Sequence, residues 1–364
     1  MFLLIAFSAI GRTLKIGILT QFKVDNYQFF AEAGNYALTS GGALVMDVNE
    51  GDRVVVRYKE GRVAVYFNDE PKGIFTSVKF EKRDNLNIFK IRPLVPDADT
   101  YTYDEELLVN AANGYLRPIN VINADKYVAG VVEAEIGKEH HPELLKCKSV
   151  ICRTYALGHV GRHRSEGYDL CDRTHCQVYK GKNRFNFDIF GAVEATQGQI
   201  IVDNSGNPID AVFHSNCGGL TVNAEDVWIH SLPYLKSVVD TFCIHGKHAI
   251  WEKSISIDQW TGYLFARSSL PRDYVCTDSN LTRRQYISCG EKYVPLKTVR
   301  NELGLYSTYF SVENMGDYIL LKGRGFGHGV GLCQEGAIHM ADLGYAYPEI
   351  IKFYYRNVRI ITMN

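Results

Sequence analysis

The sequence contains no apolar run approaching the roughly 20 residues that a bilayer-spanning helix requires, so no transmembrane helix is expected. It also lacks a dense run of Lys or Arg. Its 40 basic and 41 acidic side chains leave a formal charge of −1, far from the concentrated positive field that a nucleic-acid surface needs. No internal repeat and no low-complexity tract interrupts it. The nine cysteines are odd in number and scattered, and 364 residues are enough to bury a core without a disulfide scaffold. That count does not fix the redox compartment.

What is present describes a globular chain. Apolar residues make up 46% and charged residues 22%, proportions ordinary for one large domain or two to three smaller ones. Aromatics are plentiful, with 23 Tyr and 18 Phe. Most belong in a core, while those left on a surface can stack on sugar rings. The start, Met1-Phe-Leu-Leu-Ile-Ala-Phe-Ser-Ala-Ile10, is apolar and precedes Gly11-Arg12. It resembles the end of a secretory signal without its basic front. Residues 1–13 are therefore expected to be a truncated signal remnant of an extracytoplasmic protein; the alternative is a first strand.

From Leu14 to about Pro118 short β-branched runs alternate with turn residues. Leu14–Thr20, Asp52–Tyr58 and Arg62–Phe67 read as strands, the last two joined at Lys59-Glu-Gly-Arg62. The character changes at Asn123. Asp125–Glu135 has apolar residues at helical spacing, with Asp125 as the expected N-cap and Gly137 as the stop. A second helix opens at His141-Pro142 and runs to Tyr155. A Cys/His-rich loop follows over His163–Tyr179, then a helix near Asp188–Thr196 and strands near Ile200 and Ala211. Asp240–Glu313 carries the weakest pattern. Tyr318–Lys322 reads as a strand, and Cys333–Leu343 as a helix closed by Gly344. The expected class is α+β: a β-rich module over 14–120, a mixed α/β part over 121–364, and a less typical β-containing insertion at about 240–313.

Several residues have the chemistry of a site. Glu133 and Glu135 point about 200° apart on a helix and cannot work as a pair on one face. Glu135 falls within about 20° of Val128 on the apolar seam, and Glu133 lies well off it. A carboxyl on a dry seam, in the last turn of a helix, is expected to hold its proton more tightly and so to suit a general acid. The plain alternative is a helix-end Glu turned to solvent. Gly323-Arg-Gly-Phe-Gly-His-Gly-Val-Gly331 does not fit G-x-G-x-x-G, so a phosphate loop is not expected. Its alternation leaves one side bare for close approach of a ligand, or for a tight strand-to-helix corner. His163, Cys171, His175 and Cys176 are metal-competent. The C-x4-C spacing is looser than a zinc-ribbon C-x2-C, and adjacent His-Cys is awkward for one tetrahedral ion, so structural thiols, a redox pair and zinc all stay open. His214 and Cys217, three apart on a strand-to-turn segment, are expected to diverge in structural roles.

Five stretches stand in this order along the chain: Tyr127-Val-Ala-Gly-Val-Val-Glu-Ala-Glu-Ile136, Leu144-Leu-Lys-Cys-Lys-Ser-Val-Ile-Cys-Arg-Thr-Tyr155, Cys176-Gln-Val-Tyr179, Phe213-His-Ser-Asn-Cys-Gly-Gly219 and Gly323–Ala337, followed by Tyr354-Tyr355. Together they resemble the stage II sporulation protein D family, which also includes the LytB-type amidase enhancers. The resemblance implies a catalytic core over 121–364 whose helices border a substrate cleft. It also implies a lytic transglycosylase acting on peptidoglycan, with Glu135 as the catalytic group and Glu133 set aside. Arg153, Tyr155, Gln177, Tyr179, His214, Ser215, His328 and Gln334 are implied as substrate-binding residues. Some members bind zinc in a segment similar to His163–Cys176, so structural zinc on His163, Cys171, His175 and Cys176 is implied, although the chemistry requires no cofactor. Implied partners are glycan strands and a cell-wall amidase. Two readings from other classes stand beside this one: a non-catalytic glycan-binding module that stimulates such an amidase, and a zinc hydrolase using Cys171, His175 and Cys176. The chain departs from the family pattern at Ile136-Gly137, where Met-Pro is usual, and at Cys333, where Ser is usual. Its Cys171–His175 run is also one residue shorter than in the zinc-binding members.

Overall fold

The computed structural model describes residues 12–138, 141–182, 185–228, 230–268 and 270–363. Of the segment 1–13 read as a signal remnant, residues 1–11 lie outside the described residues, and Thr13 begins a strand. The chain is α+β and forms two compact units. One runs to Ile200 and takes in the chain from Ile361 onward; the other is Ile201–Ile360.

The first unit is built on two sheets. One has seven strands in the order Leu170–Cys171, Thr13–Gly17, Tyr115–Asn123, Glu106–Ala112, Ser77–Lys82, Tyr36–Ser40 and Ala43–Val48. The other has six, in the order Tyr101–Asp104, Ile88–Val95, Asn26–Ala33, Arg53–Lys59, Arg62–Phe67 and Glu70–Phe75. Alternating strands such as Asn26–Ala33 bury every second side chain, the pattern of a sheet with one covered face. The two sheets meet through aromatic rings. Phe29 of the six-stranded sheet stacks on Phe80 of the seven-stranded one at 3.9 Å between centroids, and Phe89 lies 5.4 Å from Phe29. The hairpin read at Lys59–Arg62 is present, and Glu60 and Gly61 both take positive φ, as a tight two-residue turn demands.

Helices α1 (Ala124–Ile136), α2 (Pro142–Gly158) and α3 (Asp188–Ala195) continue this unit. The strand Leu170–Cys171 joins the seven-stranded sheet beside Thr13–Gly17, so the Cys/His loop is anchored to the β-rich part of the chain. The expected cap of α1 is corrected. Asn123, not Asp125, is the N-cap, and its Oδ1 accepts the N–H groups of Asp125 at 2.9 Å and Lys126 at 3.4 Å. Pro142 opens α2 as read, having no N–H to leave unsatisfied.

In the second unit, the strands Ile250–Ser256, Tyr318–Arg324 and Phe310–Asn314 form an antiparallel sheet with Tyr318–Arg324 in the centre. The poorly patterned region contains α4 (Ile257–Ser268), a hairpin of Tyr286–Cys289 with Lys292–Pro295, and α5 (Leu296–Glu302). It has its own core, centred on Trp260, Leu264, Ile287 and Phe310, and a disulfide, Cys276–Cys289. α6 (Gln334–Asp342) and α7 (Tyr347–Tyr354) follow, and Gly344 ends the α6 segment at φ +88°. The short strand Phe213–His214 runs parallel to Leu332–Cys333.

Gly130 marks a close approach in the first unit. A Cβ there would collide with the Gly181 carbonyl oxygen and lie 2.7 Å from the Tyr179 ring. Helix propensity alone favours Gly130→Ala by roughly 0.5–1 kcal/mol. The collision is with backbone and outweighs it, so the variant is expected to lose about 1–3 kcal/mol in urea unfolding. A variant as stable as the wild type would show that α1 does not seat against Gly181.

Candidate functional site

Glu135 stands half-buried in the last turn of α1, just past the fully buried run Tyr127–Val132. It is therefore at the mouth of the apolar seam rather than on its dry floor. Behind it on α2 lie Lys148 and Cys152, both fully buried. Burial holds the Lys148 ammonium below its usual range, while Cys152 and Glu135 act in the opposite direction. The Cys152 thiol is pushed up to about 12 by burial, against the pull of Lys148. Glu133 is engaged elsewhere, where its Oε1 accepts the backbone N–H groups of Phe185 at 2.7 Å and Asn186 at 2.8 Å. Asn186 in turn donates through Nδ2 to the Gly137 carbonyl at 3.3 Å. Together with Gly137, at φ +62°, these contacts fix how α1 ends where Met-Pro was the expected pattern. Sequence reasoning missed Asn186 and Lys148, since no local pattern distinguishes either.

Three expected substrate-binding residues are buried within the first unit. Arg153 is 1% exposed. Its Nε donates to Asp125 Oδ1 at 3.0 Å, and its Nη atoms donate to the carbonyls of Thr196 at 2.8 Å and Val193 at 3.1 Å. Its whole fork is engaged within the protein. Tyr179 is 2% exposed, donates to Asn120 Oδ1 at 2.9 Å and packs on Tyr127. Gln177 is 4% exposed beneath the Tyr127 hydroxyl. Tyr155, by contrast, is only partly buried and accepts a 2.8 Å hydrogen bond from Arg162.

The Cys/His loop closes into a cluster. Cys176 Sγ lies 3.5 Å from His163 Nε2 and 3.7 Å from His175 Nδ1, and Cys171 Sγ lies 3.9 Å from the same Nδ1. All four ligand atoms fall within 4.8 Å of one another. A tetrahedral zinc with about 2.3 Å bonds to sulfur and 2.0–2.1 Å to nitrogen has edges of about 3.3–3.8 Å, so the donor set fits that ion. The expectation that the adjacent pair His175-Cys176 is awkward is corrected: the turn with Cys176 N–H on the Arg173 carbonyl brings both side chains inward. Glu166 accepts from His163 Nδ1 at 2.6 Å and from the Tyr168 hydroxyl at 3.0 Å, the outer carboxylate that orients a metal-ligating imidazole. Asp172 anchors the loop by accepting the Leu19 N–H at 2.6 Å.

In the second unit, the glycines of 323–331 face protein. A Cβ on Gly327 would lie 2.8 Å from that of His214, and one on Gly325 2.6 Å from the Asn216 carbonyl oxygen. The bare side thus serves a close corner against residues 212–218 instead of ligand approach. His328 accepts the Val330 N–H at Nδ1 (3.1 Å), and its Nε2 lies 3.0 Å from the Phe213 carbonyl, which assigns the proton to Nε2. His214 is 5% exposed, with Nδ1 3.1 Å from the Val330 carbonyl. Cys217 has other partners, with its Sγ 3.3 Å from Asp240 Oδ2 and 3.3 Å from Cys243 Sγ. His328 also lines a cavity of about 290 Å³ with Trp228, Arg284, Tyr286 and Arg300. Ser215 lies 3.5 Å from His248, which pairs with Glu335. Gln334 opens α6, partly buried.

The fold and these sites define an α+β protein with one metal-competent thiol-imidazole cluster beside a helix that presents a carboxylate. Residues 112–202 match the family model described as stage II sporulation protein. The chain is 30% identical over 257 residues to stage II sporulation protein D of Bacillus amyloliquefaciens, covering 66% of this chain and 74% of that one. It is 29% identical over 362 residues to an uncharacterized protein of Brachyspira hyodysenteriae, covering 96% and 90%. It is 27% identical over 282 residues to the amidase enhancer of Bacillus subtilis, covering 62% of this chain and 39% of that one. The chain belongs to the stage II sporulation protein D family.

Burial lowers His328 to about 4, assisted by Arg300 and Arg283 and opposed by the Phe213 carbonyl. Burial also lowers His214, assisted by His328 and Arg283. A histidine with a depressed folded-state pKa gives stability that is present above the unfolded value and lost as the pH falls. Stability is therefore expected to decline from about 6.5 towards about 4, at no more than about 1.4 kcal/mol per pH unit for each group. Thermal unfolding of His328→Gln across that window should show a shallower decline than the wild type. Parallel curves would mean that His328 does not titrate as its burial requires.

Proposed function

We propose that this chain acts on the bacterial cell wall as a peptidoglycan lytic transglycosylase in which Glu135 is first acid and then base. Protonated Glu135 gives its proton to the glycosidic oxygen between N-acetylmuramic acid and N-acetylglucosamine, and that bond breaks. The resulting carboxylate takes the proton of the muramic C6 hydroxyl as that oxygen bonds to the anomeric carbon. The product is a 1,6-anhydro end, no water is consumed, and the carboxyl is regenerated. One group serves both steps, so the paired carboxylates of ordinary glycosidases are not needed.

The observation that carries this reading is the division of labour at the end of α1. The Glu133 carboxylate is engaged by two backbone amides, while Glu135 is half-buried in electrostatic contact with Lys148. Lys148 offsets the charge that appears on Glu135 between the two steps. A sugar-sized recess with the exposed ring of Trp228 on its wall supports glycan binding by the second unit. The disulfide Cys276–Cys289 supports an extracytoplasmic location.

His163, Cys171, His175 and Cys176 would hold zinc as a structural ion, tying the loop to the strand at Leu170–Cys171. The four protein ligands leave no open position, which argues against a zinc hydrolase. The likeness to an amidase enhancer favours one second reading, a glycan-binding module that stimulates a cell-wall amidase without cutting glycan itself.

Mass spectrometry of purified glycan digested by wild type and Glu135→Gln separates the two. Wild type should release fragments lighter by one water than hydrolysis products, and Glu135→Gln should lower the rate by about 10²- to 10⁴-fold. Cleavage undiminished in Glu135→Gln sinks the assignment. Amidase stimulation without cleavage by the wild type supports the second reading instead.

A further inference from the structure

We propose that the second unit holds a zinc ion of its own on Cys217, Asp240, Cys243 and Cys333. These four side chains come from three separate segments, and each residue is 0% exposed. Their ligand atoms lie within 4.8 Å of one another. Cys217 Sγ is 3.3 Å from Cys243 Sγ and 3.3 Å from Asp240 Oδ2. A disulfide requires about 2.05 Å between sulfurs. The edges of a tetrahedral zinc site with thiolate and carboxylate ligands are about 3.6–3.8 Å. The observed separations are therefore a few tenths of an ångström from the metal geometry and more than an ångström from the covalent one.

The surroundings are shaped for such an ion. Asp240-Thr-Phe-Cys243 presents two ligands across a tight turn, the same two-residue spacing as a zinc knuckle. That turn is held by the Phe242 N–H on Asp240 Oδ1 at 2.9 Å. The Cys217 N–H points at Cys333 Sγ at 3.3 Å, and the Tyr354 hydroxyl donates to Asp240 Oδ2 at 2.9 Å. Gly336 is required here, because a Cβ would run into Asp240 and the Tyr354 hydroxyl.

Charge gives the second argument. Three thiolates and a carboxylate carry four negative charges, and burying them without a cation is very costly. Zinc supplies two positive charges as the thiol protons leave to solvent. The buried guanidinium of Arg283, which donates to the Cys217 carbonyl, supplies another. The N–H and O–H donors named above spread the remainder. Thiolate-rich sets select zinc over the hard cations magnesium and calcium. With four protein ligands the site is closed and structural: it joins residues 213–219 to the start of α6 and so holds the corner on which His328 rides.

The test is zinc analysis of the full chain, purified after zinc loading and desalting. Cys217→Ser/Cys333→Ser should carry one zinc fewer per chain than the wild type, and equal content overturns the proposal. Asp240→Asn keeps the side-chain shape. In chelator competition it should bind this zinc at least as poorly as the roughly 10–100-fold loss caused by removing an outer-shell partner; unchanged affinity overturns the proposal. Independently, wild type denatured in chelator without reductant should alkylate at all seven cysteines outside the Cys276–Cys289 bridge. Two fewer, with a Cys217–Cys243 cross-linked peptide, identifies a disulfide in place of the metal and overturns it.

Discussion

The guanidinium of Arg153 sits among α1, α2 and the end of α3 with almost no access to water. Its donors reach Asp125 in the first turn of α1 and the carbonyls of Val193 and Thr196 at the end of α3. Those carbonyls are the orphaned acceptors that every helix leaves at its C-terminus. A planar donor fork satisfies several of them at once, which a lysine cannot do. Removing Asp125 would strand the buried guanidinium, so the three helices must keep their mutual register for the ion pair to exist at all. Glu135 inherits its place from that register.

Much of the architecture is legible along the sequence because local chemistry and tertiary need agree there. Alternation reports the sandwich strands, Pro142 reports the start of α2, and Gly344 reports the end of the α6 segment. Sequence reasoning fails where one residue type can serve two purposes. Asp125 has the chemistry of a cap, yet Asn123 caps and Asp125 pairs with an arginine 28 positions away. Arg153, Gln177 and Tyr179 have the chemistry of binding residues, but each is buried, and only a three-dimensional partner reveals which use prevails. The region over 240–313 is obscure because its core is assembled from short pieces, none long enough to display a period.

The seven free cysteines are all buried, and five of them share a physical logic. Cys171 and Cys176 converge with two imidazoles, and Cys217, Cys243 and Cys333 converge with a carboxylate. In both places a loop of little regular structure is held by side chains pointing to a common centre. Secondary structure supplies few backbone hydrogen bonds there, so cross-linking through ligands is a natural substitute. The departure at Cys333 from the serine of the family pattern acquires a physical meaning in this setting.

The glycine alternation over 323–331 has a further consequence. Gly325, Gly327, Gly329 and Gly331 all adopt positive φ, and their bare sides press on neighbouring chain. A segment wedged in this way has little freedom to reshape itself around different guests. Variation on this face must then enter through the side chains it projects, Phe326 and His328 among them. Single substitutions at those projecting positions can alter its surface while its backbone is inherited unaltered.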